Sequence, residues 1–257
     1  MKITTIKTKK LLPPQDDLLE AIYNSKLQPT EKSIVVISSK VISIWQGHTL
    51  PDNDQKDKLA TKEADWYLPR SWGLDFVLHT IKNGVLIGSG GVDRSNSNGF
   101  LIPWPHNPQM AAQTLQTKLQ THYQIKTLGV LIVDSRNSFG HRGVTGVAIG
   151  WSGFNPVLDN RHQTDIFKQP LKFSQTNVAD SLAAAAVLLM GETNEQTPVA
   201  LITDLSNKLF EPITHNPNEP YTSFEVPLIE DAFWPVLKQA PWQKGGSNPT
   251  SPTTNPE

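Results

Sequence analysis

Four short stretches of this chain carry oxygen ligands or phosphate-friendly groups, and each follows an apolar element. They are Ser38-Ser39-Lys40, Gly91-Val92-Asp93-Arg94-Ser95-Asn96, Asp134-Ser135 and Met190-Gly191-Glu192-Thr193. Carboxylates and hydroxyls in such company suit a hard divalent cation, Mg2+ or Mn2+, better than zinc. The seven histidines (48, 79, 106, 122, 141, 162 and 215) show no paired zinc spacing. Absence of cysteine removes thiolate sites, disulfides and a cysteine nucleophile. The chain has no G-x-x-x-x-G-K-[ST] phosphate loop and no G-x-G-x-x-G fingerprint. Gly150-Trp151-Ser152-Gly153-Phe154 only imitates a nucleophile elbow, because its second glycine comes one residue too early.

Taken singly, each candidate has a plain structural alternative. Asp134 could start a turn after the apolar run Val130–Val133, or stand as a metal anchor on a rigid strand. Glu192 falls just past a helix C-terminus, where the macrodipole disfavours an anion by a few tenths to ~1 kcal/mol. A bound cation would remove that penalty, and so, in large part, would water. The glycines at 88, 90 and 91 demand a sharp bend or a close approach of the backbone. Lys40 is a phosphate ligand or a solvated lysine. Trp66, Tyr67, Trp72, Trp104 and Trp151 suit a core or an interface, and Asp180 suits a helix cap.

The elements that would carry these residues are readable in outline. A strand is expected at Ile3–Lys7, and a helix opens at Asp16-Asp17 and runs to about Asn24. Ile34–Ile37 reads as a buried strand, and Gly47–Asp57 as a loop. Leu59–Leu68 has helical spacing. Asp75–Thr80 and Gly84–Ile87 read as strands joined at Lys82-Asn83-Gly84, an Asn-Gly hairpin signal. A helix follows from Pro108 to about His122, then a strand over Leu128–Val133. Asn177–Met190 is the clearest helix, with Asn177 as N-cap, Asp180 in its first turn and Gly191 at its end. Val199–Thr203 is a further strand. Strands and helices interleave without the spacing of a doubly wound sheet, so the class is α+β, mixed sheets packed with helices.

Hydrophobic residues make up 37% and charged residues 18% of the 257, with a net charge of −1. That balance suits one or two globular domains and gives no reason to expect nucleic acid or an anionic membrane as partner. No apolar run reaches the ~20 residues of a membrane helix, and the N-terminus lacks a signal core, so the expected compartment is the cytoplasm. The expected division is one domain over 1–237 and a disordered Pro/Gly/Ser/Thr-rich tail over 238–257, with disorder complete after Trp242.

The four stretches, in their order, resemble the coenzyme F-420 γ-glutamyl ligase family. The matching runs are Gly91–Asn96, Ile132–Ser135 with Gly143 and Val147–Gly150, Gly153–Pro156, and above all Val178–Ala186 followed by Leu189–Glu192 and Pro198-Val199. With Asp16–Leu18 and Ser39–Ser43 the likeness spans residues 3 to 205. It implies an α+β, intertwined-dimer ligase that adds L-glutamate to a carboxylate acceptor through an acyl phosphate. GTP is the implied co-substrate with two divalent ions, Mg2+ or Mn2+, and K+ is allowed for. Carried over by residue, it implies Asp93 and Asp134 as catalytic metal-binding aspartates, with Ser135 and Glu192 as further ligands. Leu12, Ser39, Lys40, Asn96, Met190, Gly191 and Thr193 fall on nucleotide contacts.

The chain also departs from that pattern. Ile44 stands in place of a lysine, Arg136–Arg142 replaces an arginine-rich loop, and residues 48–80 are rebuilt around Trp66, Tyr67 and Trp72. The departures leave a folate-type acceptor open, and also a nucleotide-binding homologue without catalysis or a partner-binding module.

Overall fold

Five strands form the central sheet of the computed structural model, in the order β1-β12-β2-β8-β9. The structure describes residues 1–73, 77–161, 163–211 and 224–246. In chain order the elements begin with β1 (Lys2–Ile6), α1 (Leu18–Tyr23), β2 (Ser33–Ser38), α2 (Ser39–Trp45), β3 (Leu50–Pro51) and α3 (Lys56–Glu63). Then come β4 (Trp66–Tyr67), β5 (His79–Lys82), β6 (Val85–Gly88), β7 (Phe100–Leu101), α4 (Pro108–Tyr123), β8 (Leu128–Asn137) and β9 (Val144–Ser152). The chain continues through β10 (Val157–Asp159), β11 (Gln175–Asn177), α5 (Val178–Met190), β12 (Val199–Thr203), α6 (Trp234–Leu237) and β13 (Gln243–Lys244). The class is α+β, as the sequence implies.

The sheet is mixed. β2 and β8 run parallel, while the pairs β1–β12, β12–β2 and β8–β9 are antiparallel. Side chains alternate across β8. Val130 and Ile132 pack into the cluster formed with α1, α2 and α4, whereas Leu131 and Val133 pack against α5. Every residue from Ser33 to Ile37 is buried, which explains why β2 reads as an unbroken apolar run. The alanines of α5 lie flat on β9: a Cβ on Gly146 would fall 2.3 Å from the Ala183 carbonyl oxygen. Only glycine allows that approach.

Among the described residues three α-helices are capped by a side chain at the N-terminus. Asp17 accepts from the amides of Leu19 and Glu20, Asn107 from Met110, and Asn177 from Asp180. Asp180 does more than stay inside its own helix, because its carboxylate accepts from the Ala148 amide at 2.9 Å. That amide sits where β9 slips register against Ile132 and Val133. A bulge of this kind re-aims the strand that follows it.

Several expectations need correction. Asp134 does not begin a turn: β8 continues through Asp134 and Ser135 to Asn137, paired with β9 as far as Val144. The 59–68 helix ends at Glu63, because Trp66 and Tyr67 are taken into a second sheet opposite Ile81 and Thr80. Aromatic residues favour that pleated setting once a partner strand is present. Ser39–Trp45 is a helix, an element with no distinct signal in the sequence. The Asn83-Gly84 turn forms with both residues at positive φ, but its first strand is His79–Lys82, and residues 75 and 76 of the expected strand lie outside the described residues. The tail is ordered further than expected. Gln243 and Lys244 add an edge to the second sheet, whose order is β13-β4-β5-β6, and the Gly245 amide bonds to the Asp65 carbonyl oxygen. Residues 247–257 lie outside the described residues. Among the described residues no helix is long and apolar enough to cross a membrane.

Beneath the second sheet lies a buried ion pair, Lys82 Nζ to Glu63 Oε2 at 2.7 Å, with His48 Nε2 3.6 Å from Glu63 Oε1. Burial pushes the Glu63 carboxyl up, but the His48 hydrogen bond and the Lys82 charge outweigh it and hold the pKa at about 2. A depressed carboxylate pKa adds stability that is complete above the unfolded value of 4.5 and fades as pH falls toward 2. Glu63→Gln should therefore cost on the order of 3 kcal/mol at pH 7. In denaturant titrations that difference should shrink below pH 4.5; a deficit independent of pH would refute the assignment.

Candidate functional site

The four chemistry-bearing stretches converge on one cleft of about 690 Å³ at the end of the central sheet. α2 delivers Lys40 directly behind β2, and the turn after the glycines at 90 and 91 delivers Asp93, Ser95 and Asn96. β8 brings Asp134 and Ser135, and the turn after α5 brings Glu192 and Thr193. Leu12, with Lys9 and Lys10, closes the N-terminal side, and Met190 and Gly191 line the floor near α5. Of the sequence candidates only Ser39 misses the lining. It is buried in the first turn of α2, and its neighbour Ser38 lines the cleft instead.

Lys40 is the positive centre. Its Nζ lies 2.7 Å from Asp93 Oδ2 and donates to the Ser95 carbonyl and hydroxyl oxygens at 2.8 and 2.9 Å. Asp93 in turn accepts from the Arg94 and Ser95 amides and from the Ser95 hydroxyl. Burial raises the Asp93 carboxyl, but Lys40 and these hydrogen bonds outweigh it and keep the group ionised below the ordinary range. Asp93 is held in place by its backbone, which exchanges two 2.9 Å hydrogen bonds with Ile102.

Asp134 has the opposite balance. Burial first, and the nearby Asp93 charge with it, push its carboxyl up to about 6 against the hydrogen bonds from Trp104 Nε1 and the Ser135 amide. Glu192 is also raised, by burial and by Asp93 and Glu195, although it accepts from the Ser135 hydroxyl at 3.3 Å. Thus three carboxylates gather around one ammonium. Among the described residues no three His, Asp or Glu side chains already stand together as a metal cage. The donor set does fit a hard divalent cation: it is all oxygen, and its unneutralised charge is the kind such an ion removes.

One contact ties two of the loops together and another braces one of them, both undisclosed by the sequence. Asn96 Nδ2 donates to the Thr193 carbonyl at 2.7 Å, and Glu195 accepts from both the Thr193 amide and its hydroxyl. Glu195 sits in a polar run with no periodicity to single it out. Trp104 also escapes a sequence reading, which assigns it to the core; it is buried, and its polar edge meets Asp134. Ile44, where the resemblance has a lysine, is buried and lines the cleft, making one side of it apolar. Arg136 does not enter the lining; its Nη2 lies 3.8 Å from Asp180 Oδ2.

Residues 6–204 match the sequence profile of the family described as F420-0:Gamma-glutamyl ligase. The chain is 29% identical over 228 residues to the coenzyme F420:L-glutamate ligase of Methanopyrus kandleri, covering 81% of this chain and 89% of that protein. It is 32% identical to the protein of the same name from Methanosarcina acetivorans, covering 85% of this chain and 92% of the relative. A third, from Methanococcus maripaludis, is 34% identical over 75% of this chain and 84% of its own length.

Because the folded pKa of Asp134 lies above its ordinary 3.8, its charge costs stability that is absent below pH 3.8 and complete above about pH 6. Asp134→Asn should stabilise the metal-free protein at pH 7.5 by up to about 3 kcal/mol and leave it unchanged near pH 3.5. A melting temperature lowered at pH 7.5 would contradict this electrostatic account.

Proposed function

The chain belongs to the F420-0:gamma-glutamyl ligase family, and from that membership we propose that it joins L-glutamate to a small-molecule carboxylate, using GTP and Mg2+ or Mn2+. The observation that carries the reading is the set of three carboxylates and the Ser135 hydroxyl arranged around Lys40 in one cleft. A carboxylate and an amine do not condense in water unless the carboxylate oxygen is first made a leaving group. In the proposed reaction an acceptor carboxylate oxygen attacks the γ-phosphorus and the nucleoside diphosphate departs. The glutamate nitrogen then attacks the acyl carbon, and inorganic phosphate leaves as the amide forms.

Protein groups have separable parts in that sequence. Lys40 supplies a fixed positive charge for phosphoryl oxygens, and its grip on Ser95 and Asp93 holds it in the cleft. Asp93, Asp134, Ser135 and Glu192 would hold divalent ions, two in the fullest form of the reading, which would neutralise charge on the transferring phosphoryl group. The Asn96–Thr193 contact joins the phosphate side of the cleft to the turn after α5, where Met190, Gly191 and Thr193 would face the nucleotide. Exposed Phe139, Ile166, Phe167 and Phe173 offer apolar area to a second copy, in keeping with a homodimer.

The acceptor named by the relatives is a coenzyme F-420 precursor, and that class is the first choice here. A folate-type γ-glutamyl acceptor is the second, favoured by the apolar surface that Ile44 gives the cleft. Purified protein with Mn2+, GTP and glutamate should release phosphate only when an acceptor of the right class is present. Mass spectrometry should then show the acceptor gaining one glutamyl unit. Asp93→Ala should lower turnover about a hundredfold or more. Undiminished turnover in that variant, or GTP bound without turnover on either acceptor class, would defeat the proposal.

A further inference from the structure

Trp104 is 1% exposed, yet several of its contacts are with polar or charged groups. Its indole Nε1 donates to Asp134 Oδ2. Its carbonyl oxygen lies 2.9 Å from His48 Nδ1, and Lys82 Nζ stands 5.8 Å from its ring centroid. The preceding Pro103 carbonyl accepts from the buried Ser43 hydroxyl at 2.6 Å. His48 is itself fixed, stacked on His106 at 3.6 Å and facing the Glu63–Lys82 pair. On the remaining side the indole edge rests on Gly91, where a Cβ would lie 2.3 Å from Nε1. Gly91 has φ +70°, so its position suits glycine twice over, by backbone and by space.

Burial alone does not produce such an arrangement. Two other buried indole nitrogens, those of Trp66 and Trp151, have no hydrogen-bond partner among the described residues. Among the described residues, only Trp104 directs its indole N–H at a carboxylate of the cleft.

We propose that Trp104, seated on Gly91 and braced by His48 and Lys82, is a positioning residue for Asp134. It engages Oδ2 while the Ser135 amide engages Oδ1, so the orientation of the carboxylate is fixed from both sides, and in that orientation it would meet a bound ion. Groups that orient a ligand in this way are commonly worth ten- to a hundredfold in metal affinity. The proposal rests on the reading of Asp134 as an ion-holding residue, but the brace itself comes from His48 and Glu63, within the 48–80 region that departs from the resemblance, and from Lys82 just past it.

The test is Mn2+ binding, followed by the electron paramagnetic resonance of free Mn2+ with the full-length protein. Four proteins are compared: wild type, Asp134→Asn, Trp104→Phe, and protein carrying the benzothienyl analogue of tryptophan at 104, which keeps the ring shape and replaces N–H by sulfur. The analogue should bind Mn2+ about tenfold or more weakly while still unfolding in one cooperative transition, and Trp104→Phe should follow it. If Trp104→Phe does not fold, the analogue decides. An analogue that binds Mn2+ within twofold of wild type overturns the proposal while leaving the cleft reading intact. A wild type that binds no Mn2+, or an Asp134→Asn variant that binds as wild type does, overturns the cleft reading and this proposal with it.

Discussion

Lys40 is the one ammonium on which three carboxylates depend, and the structure around the cleft is arranged to keep it there. It pairs with Asp93, and its charge is felt by both Asp134 and Glu192. Lys40 offsets these three charges only in part, and the deficit sits on Asp134, where burial raises the carboxyl to about 6. A fold selected for stability alone has no use for such a residue. Bulge, cap and glycine contacts all converge on it: Asp180 clamps the irregular register of β9 immediately before the Asp134 pairing, and Gly146 lets α5 close over the same strand.

Four strands of the central sheet were legible in the sequence because their signals are redundant, whereas β9 was not read as a strand. β2 is a continuous apolar run between polar ends, and α5 carries an N-cap, an apolar face and a terminal glycine. The four chemical stretches were visible because each interrupts such an element. Less legible were features fixed only by tertiary partners. Trp66 and Tyr67 continue a helical pattern until Ile81 and Thr80 offer them a strand, and nothing local announces that partner. Ser38 and Ser39 are indistinguishable by type; the turn of α2 decides which faces the cleft. Asp134 looked like a residue after a strand because its polarity ends the apolar run, whereas the backbone hydrogen bonds to β9 continue.

The central sheet and the second sheet meet at Trp104. The family match ends at residue 204, yet the second sheet receives its edge strand from Gln243 and Lys244, well beyond it. That sheet holds Lys82, and α3, packed beneath it, holds Glu63; through His48 this pair braces the backbone that carries Trp104. A change far from the phosphate side of the cleft can therefore reach the carboxylate at its centre. Ile44 supplies a second such change, apolar and directly in the lining. The ligase framework and the surroundings of its carboxylates are thus separable in this chain.

The central claim is that the cleft around Lys40 holds a divalent cation through Asp93, Asp134, Ser135 and Glu192. Crystals grown with Mn2+ and a non-hydrolysable GTP analogue, measured at the manganese absorption edge, test it most directly. The account predicts anomalous density touching Asp134 and at least one of Asp93, Ser135 and Glu192, with the nucleotide phosphates beside Lys40. Manganese bound elsewhere, with these side chains still paired only to Lys40, Trp104 and one another, would contradict it.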